Sequence, residues 1–201
     1  MKKYYLVIII FIFMATGVKA SPQLKSDYPR LANYYLKYFG DVSATELNNL
    51  KKWDLLILPN DYQWIFPEFF NEYKKAKPDG LILAYTYPAM VMSSNVNSLF
   101  RTVEAENLWL RDGDGAKIEM WPGLYAVSIN NPKWQSANNQ FLSQELDWHK
   151  WDGLMFDTVE NSLARFSQNG LDINNDGQAD SLASVDRLWQ QGLANLLAKT
   201  R

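Results

Sequence analysis

The chain has 201 residues, no cysteine, one histidine, and a formal net charge of −2 from 20 basic and 22 acidic residues. That length suits one ordinary domain. The missing cysteines exclude a disulfide framework and a lipid attached at cysteine, and with a single histidine they argue against a zinc site or a Ser-His-Asp triad. No basic excess of the kind that nucleic-acid binding needs is present.

Lys2 and Lys3, the almost wholly apolar run from Tyr4 to Met14, and the small residues Val18 and Ala20 predict a secretory signal peptide over residues 1–20. The run is short for a membrane span, which needs ~20 residues. No stable span is expected after cleavage, and the product is expected to be secreted or periplasmic; an uncleaved anchor is the alternative. Losing the signal removes three lysines and no acid, so 17 basic residues face 22 acidic ones, a net −5.

In the remaining chain Arg30 to Leu36 is predicted as a first strand. Thr45 to Lys52 reads as a helix with Ser43 as its cap. Trp53 to Pro59 is a buried strand that ends in Asn60-Asp61. Phe66 to Lys75 is helical, Lys77-Pro78-Asp79-Gly80 is a turn, and Leu81 to Tyr85 is the next strand. Asn95 to Asn107 reads as a helix, Gly123 to Ser128 as a fourth strand, and Pro132 to Trp148 as a longer helix. Gly153 to Phe156 is the fifth strand and Val185 to Lys199 the closing helix. Alternating strands and helices imply an α/β domain of parallel strands with right-handed crossovers. No long internal repeat, low-complexity tract or linker interrupts it. About five strand–helix units fall short of a closed (β/α)₈ barrel, which has eight and typically ~250 residues. A smaller open α/β domain and the front part of a barrel cut short both fit that count.

The most informative stretch is Trp151-Asp152-Gly153-Leu154-Met155-Phe156-Asp157-Thr158-Val159-Glu160-Asn161. A short apolar run is how a strand buried on both faces reads, and a carboxylate stands where it ends. Reactive groups of α/β folds sit at the carboxyl ends of such strands, so Asp157 is the first candidate for a catalytic carboxylate. The alternative is that Asp157 caps a following helix.

Leu83-Ala84-Tyr85, Trp109-Leu110, Trp121 to Val127, Asn131-Pro132-Lys133-Trp134 and Trp151 to Glu160 occur in an order that resembles secreted TIM-barrel glycoside hydrolases. The families most similar are the hypothetical glycoside hydrolase 15 family and the endo-α-1,4-polygalactosaminidase-like family. In the latter the last motif is aspartate-glycine, three apolar residues, then aspartate-threonine-valine-aspartate. Here Glu160 stands in place of the final aspartate, and Thr86-Tyr87-Pro88 stand where a glycine–glutamate pair usually follows the third strand. The resemblance covers roughly Tyr28 to Asp186. It implies a TIM-barrel-like domain over residues 21–201, incomplete at its C-terminal side, that cleaves the glycosidic bonds of a polysaccharide or oligosaccharide with Asp157 at the active end of its strand.

Glycosidic hydrolysis usually needs two carboxyl groups. Glu160 could share the rim with Asp157 if the chain turns into a helix there; the other reading is a first-turn acid favoured by the helix dipole. Asp61 ends the second strand and could face the same opening, or be a plain loop acid. Of the eight tryptophans, Trp109 and Trp121 are, with Tyr85, the candidates for stacking on sugar; Trp64 and Trp134 also fall near strand ends, and any of them could be core. His149 reads as structural or solvent-facing.

Asp172-Ile173-Asn174-Asn175-Asp176-Gly177-Gln178-Ala179-Asp180 has the front spacing of an EF-hand-type loop. Asp172, Asn174, Asp176, Gln178 and Asp180 are therefore candidate calcium ligands for a structural ion. The twelfth position is Ala183 rather than a bidentate glutamate, and Asp186 could replace it only if the chain curls differently. The other reading is a polar turn. Three functions compete: a secreted glycoside hydrolase, a non-catalytic carbohydrate-binding protein on a degenerate barrel, and a calcium-stabilised envelope protein.

Overall fold

The computed structural model describes residues 30–37, 42–92, 98–166 and 169–200, so the expected signal peptide lies outside the described residues. The elements run β1 (Ala32–Tyr34), α1 (Ala44–Leu50), β2 (Leu55–Pro59), α2 (Tyr62–Ile65), α3 (Pro67–Ala76), β3 (Leu81–Thr86), β4 (Met90–Met92) and α4 (Ser98–Ala105). They continue with β5 (Arg111–Asp112), β6 (Glu119–Trp121), β7 (Leu124–Ala126), α5 (Pro132–Gln140), β8 (Gly153–Phe156), β9 (Leu171–Asp172) and α6 (Leu182–Lys199). The long helix expected from Pro132 to Trp148 divides, because Phe141–Glu145 widens into a π-helical turn. Residues 95–97 of the helix expected from Asn95 lie outside the described residues.

Local signals set the helix starts. Ser43 caps α1 in a reciprocal box: its hydroxyl accepts the Glu46 amide, and the Glu46 carboxylate accepts the Ser43 amide at 2.8 Å. That amide, with Lys37, holds the Glu46 carboxyl down at about 2. Asn131 caps α5 through the Lys133 amide, with Pro132 at the first helical position, and Ser181 caps α6.

Four strands form one parallel sheet in the order β1-β2-β3-β8. Leu56, Leu58, Ile82 and Ala84 are fully buried on one face, in one core cluster with Leu50, Phe69, Phe70 and Tyr73 from α1 and α3. Each such leucine or isoleucine contributes about 1.5–3 kcal/mol of transfer free energy. Alternate residues Leu55, Ile57, Leu81, Leu83 and Met155 are half-buried on the opposite face.

The fourth expected parallel strand is not one. β7 pairs antiparallel with β4 and with β6 in a separate three-stranded sheet. Gly123 at φ 77° turns β6 back into β7, and the Glu119 carboxylate accepts the Gly123 amide at 2.7 Å. A short apolar run reports burial, not strand direction. The chain is thus a mixed α/β fold with a parallel sheet, and no closed barrel forms among the described residues.

A short repeat underlies the sheet. Trp53-Asp54-Leu55-Leu56 opens β2 and Trp151-Asp152-Gly153-Leu154 opens β8. Asp54 accepts the Leu31 amide at 3.0 Å and pairs with Lys77; Asp152 accepts the Ile82 amide at 2.8 Å and pairs with Lys74. The Leu31 amide, then Lys77, pulls the Asp54 carboxyl below the usual range. β2 is tied to β1, and β8 to β3, by the same clamp at the amino ends of the strands.

Gly192 lies in α6 where the helix touches the backbone of Ile129 and Asn130; an added Cβ would stand 2.7 Å from the Asn130 nitrogen. Glycine to alanine inside a helix normally gains about 1 kcal/mol. Here we predict the reverse: Gly192→Ala loses roughly 1–3 kcal/mol and lowers the melting midpoint by about 2–4 °C per kcal/mol. A raised midpoint in thermal denaturation would refute this contact.

Candidate active site

Parallel strands place their carboxyl ends on one edge. That edge carries Asp61 after β2, Thr86 at the end of β3 with Tyr87 after it, and Asp157 after β8. The register Tyr85↔Met155 and Thr86↔Phe156 continues as the Asp157 amide donates to the Thr86 carbonyl at 3.1 Å. With period two, Tyr85 and Asp157 share the half-open face rather than the helix-covered one.

Asp157 is closely held. The Tyr85 hydroxyl donates a short hydrogen bond to its Oδ2, and the Thr158 amide donates to its Oδ1 at 2.7 Å. Tyr34, from β1, meets the Tyr85 ring edge-on at 5.5 Å, and burial, with the nearby Asp157 charge, pushes its hydroxyl up. Tyr87 meets Tyr85 from the other side at 5.0 Å. Asn60 donates to the Tyr85 carbonyl at 3.1 Å and ties β2 to the same point. Burial first, then the bond to Asp157, pushes the Tyr85 hydroxyl far above its ordinary range, so it stays a donor.

Thr158 has φ 56°. A β-branched residue rarely enters the left-handed region, and such strain, on the order of 1–3 kcal/mol, gathers at functional sites. It turns the chain sharply after Asp157. No helix follows until the single 3-10 turn Ala164–Phe166, so Asp157 is not a helix cap.

Asp61 stands at the N-cap position of α2 without a side-chain cap bond, and its Oδ1 is buried with no partner. Burial pushes its carboxyl up, which its own amide only partly opposes. Glu160 does not lie on a helix, as had been expected if it were to share the rim; it forms an ion pair with Arg165.

The aromatic candidates separate. Tyr85 is 3% exposed and works through Asp157 rather than as an open platform. Trp109, expected to face substrate, is 2% exposed: its Nε1 donates to Glu104 at 2.9 Å and Lys117 covers its ring at 4.3 Å. Trp134 is also interior, donating to the Pro88 carbonyl. Trp121 is 50% exposed and Trp64 53% exposed. His149 is exposed.

In the 172–180 loop Asp172 accepts the amides of Asp176 and Gly177, Asn174 and Asp176 accept amides within the loop, and Asp180 accepts the Ile173 amide. Gln178 is exposed and contributes its amide nitrogen. Asp186 does not supply the missing twelfth ligand; it holds Ser162 and the Leu163 amide. Among the described residues no group of three or more histidine, aspartate or glutamate side chains is arranged to hold a metal ion.

The candidate site is thus a tyrosine-held aspartate at the carboxyl edge of a parallel sheet. The sequence model of hypothetical glycosyl hydrolase family 15 matches residues 74–201, and the chain belongs to that family. No curated protein matches it significantly. Among solved structures it is similar to the glycoside hydrolase domain of PelA from Pseudomonas aeruginosa, at 15% identity over 85% of this chain and 54% of that one, with a TM-score of 0.54; a variant of that domain matches equally. It is also similar to Aspergillus fumigatus Ega3 in complex with galactosamine, at 14% identity over 92% and 62% of the two chains, with a TM-score of 0.45. The chain therefore spans about half the length of the PelA domain, and that likeness is one of fold.

Asp61 gives a test of the edge electrostatics. At low pH both states are protonated, and the raised carboxyl carries no penalty. As pH rises through the folded value, the folded state must ionise a buried group or hold its proton, and stability is lost. Asp61→Asn is therefore expected to melt above the parent at about pH 7, with the margin shrinking towards about pH 3. A margin independent of pH in a melting series would show that burial does not act on Asp61.

Proposed function

We propose that the protein is a secreted glycoside hydrolase that cleaves the glycosidic bonds of a polysaccharide, with Asp157 as its central catalytic carboxylate. The observation that carries this reading is the cage of Tyr34, Tyr85 and the strained Thr158 around Asp157 at the carboxyl end of a parallel strand. The sheet is one arc of a (β/α)-barrel in this reading, its four strand–helix units lying in barrel order. Family membership supports glycosidic chemistry as the class, and the basic, apolar N-terminal run supports export. Among the described residues no helix is long and apolar enough to cross a membrane.

Glycoside hydrolysis divides its work between an ionised carboxylate and a protonated one. Asp157, with donors on both oxygens, suits the first role: it attacks the anomeric carbon or takes the proton of the attacking water. A carboxyl kept protonated by burial suits the second, and Asp61 is the group on this edge whose surroundings favour the proton. The pairing of Glu160 with Arg165 favours an alternative in one respect. It gives a nearby acid a structural partner, as a non-catalytic carbohydrate-binding protein would allow.

A hydrolysis screen on polysaccharides with Asp157→Asn as control tests the reading. The variant is expected to lose roughly 10²–10⁴-fold in rate. Its melting midpoint should stay within about 3 °C of the parent, the shift of about 1 kcal/mol in a chain this long. Oligosaccharide binding without any turnover by the parent would select the binding-protein alternative.

The 172–180 loop is proposed to take calcium weakly and structurally. Each carboxylate oxygen has a second lone pair beyond the amide it accepts, and no bidentate glutamate strengthens the site. At tenfold excess over a millimolar-range Kd, an ion would stabilise the fold by about 1.4 kcal/mol. Calcium is expected to raise the melting midpoint by about 3–5 °C over chelator, and Asp176→Ala should abolish the difference. Equal midpoints would leave the loop as a self-bonded turn.

A further inference from the structure

The insertion between β3 and β8 carries an exposed aromatic that the chemistry at Asp157 does not use. Trp121 ends β6 at the tip of the β6–β7 hairpin, with half of its surface open. The Arg165 guanidinium, from the 3-10 turn after β8, lies 5.8 Å from the Trp121 ring centre and 4.7 Å from that of Phe166. These are cation–π distances. Arg165 also pairs with Glu160, three residues beyond Asp157. A continuous line of contacts therefore runs from the Asp157 loop through Glu160 and Arg165 to Trp121.

Beside this line lies a cleft of about 260 Å³, lined by Asp112, Lys117, Ile118, Glu119, Arg165, Phe166 and Asn169. Its cations are already matched: Arg165 by Glu160, and Lys117 by Glu104 at 2.8 Å. Its carboxylates, Asp112 and Glu119, accept backbone amides on one side. A cleft whose positive charges are neutralised in place, with acceptors in its wall, favours hydroxyl donors over an anion. The Trp121 indole, beside the Arg165 that lines the cleft, offers a flat apolar face of the size of a pyranose ring.

We propose that Trp121 and this cleft form a second sugar subsite, which takes a pyranose without negative charge from the chain whose bond is cleaved at Asp157. Trp121 supplies the stacking face, and Arg165 positions it while orienting Glu160. This subsite rests on the glycoside hydrolase reading, and it predicts preference for oligosaccharides long enough to reach both places.

The test is calorimetric titration of neutral cello-, xylo-, galacto- and chito-oligosaccharides of about two to six residues, with oligogalacturonate as the anionic probe. The full chain carrying Asp157→Asn serves as the background, so that no probe is hydrolysed. The best neutral probe should bind about tenfold more weakly when Trp121→Ala is added, the worth of one aromatic stacking contact. Trp121→Phe should restore most of the affinity, and the melting midpoint should not move. Affinity should rise with oligosaccharide length in the parent and not in Trp121→Ala. Binding unchanged by Trp121→Ala overturns the subsite and leaves the hydrolase reading standing. Tighter binding of oligogalacturonate than of every neutral probe overturns the exclusion of a negatively charged sugar. Absence of binding by every probe, together with absence of hydrolysis by the unsubstituted protein, overturns both.

Discussion

Strand register is the constraint on which this molecule depends, and two aspartates at the amino ends of the strands hold it. Asp54 and Asp152 each accept the amide of the residue opposite them on the neighbouring strand, and each is matched by a lysine from α3 or the turn after it. A slip of one residue would turn every side chain to the other face of the sheet. If β8 slipped against β3, Asp157 would point into the helix-covered layer beside Ile82 and Ala84, away from Tyr85, and Leu154 would face the opening. The clamp at one end of the sheet thus decides which side chains stand together at the other.

The functional edge divides between two kinds of support. The parallel sheet supplies Asp157, Tyr85 and Tyr34 from strand ends, where backbone bonds on both sides leave little freedom. The insertion between β3 and β8 supplies the hairpin with Trp121, and its Trp109, Phe100 and Tyr125 pack together within the one core of the molecule. Rigid groups for bond cleavage and peripheral groups for recognition are a common division in α/β enzymes, whose connecting segments carry specificity. The left-handed Thr158 joins the two, because it redirects the chain from β8 towards Glu160 and the turn that holds Arg165.

The aromatic residues show how burial sorts identical side chains. Trp109, Trp134 and Trp189 each bury the ring and satisfy the indole N–H, on Glu104, the Pro88 carbonyl and the Glu160 carbonyl. Trp121 remains half open with a guanidinium beside it. Trp109 and Trp121 each follow an apolar residue, Leu108 and Met120, and each stands in or beside a short strand. Their difference arises from which neighbour covers the ring, and Lys117 covers Trp109.

Much was legible in the chain itself. The apolar runs at Leu55–Leu58, Leu81–Ala84 and Leu154–Phe156 located three of the four parallel strands, because a strand buried in a sheet must be apolar. Ser43, Asn131 and Ser181 mark helix starts, because orphan amides need an acceptor within a few residues. The position of Asp157 after its strand, and the order of motifs around it, indicated the family. The Trp-Asp-x-Leu sequence before β2 and β8 was also present to be read as a repeat, though only the matching amide contacts give it meaning. What the tertiary structure alone decided depends on residues far apart in sequence. Whether Gly123–Ser128 joins the parallel sheet or a hairpin, whether Trp109 is open, whether Glu160 has a cation, and which tyrosines reach Asp157 are all settled by contacts across tens of residues. Local pattern carries the period and the capping chemistry of each segment, but not the partner that segment finds.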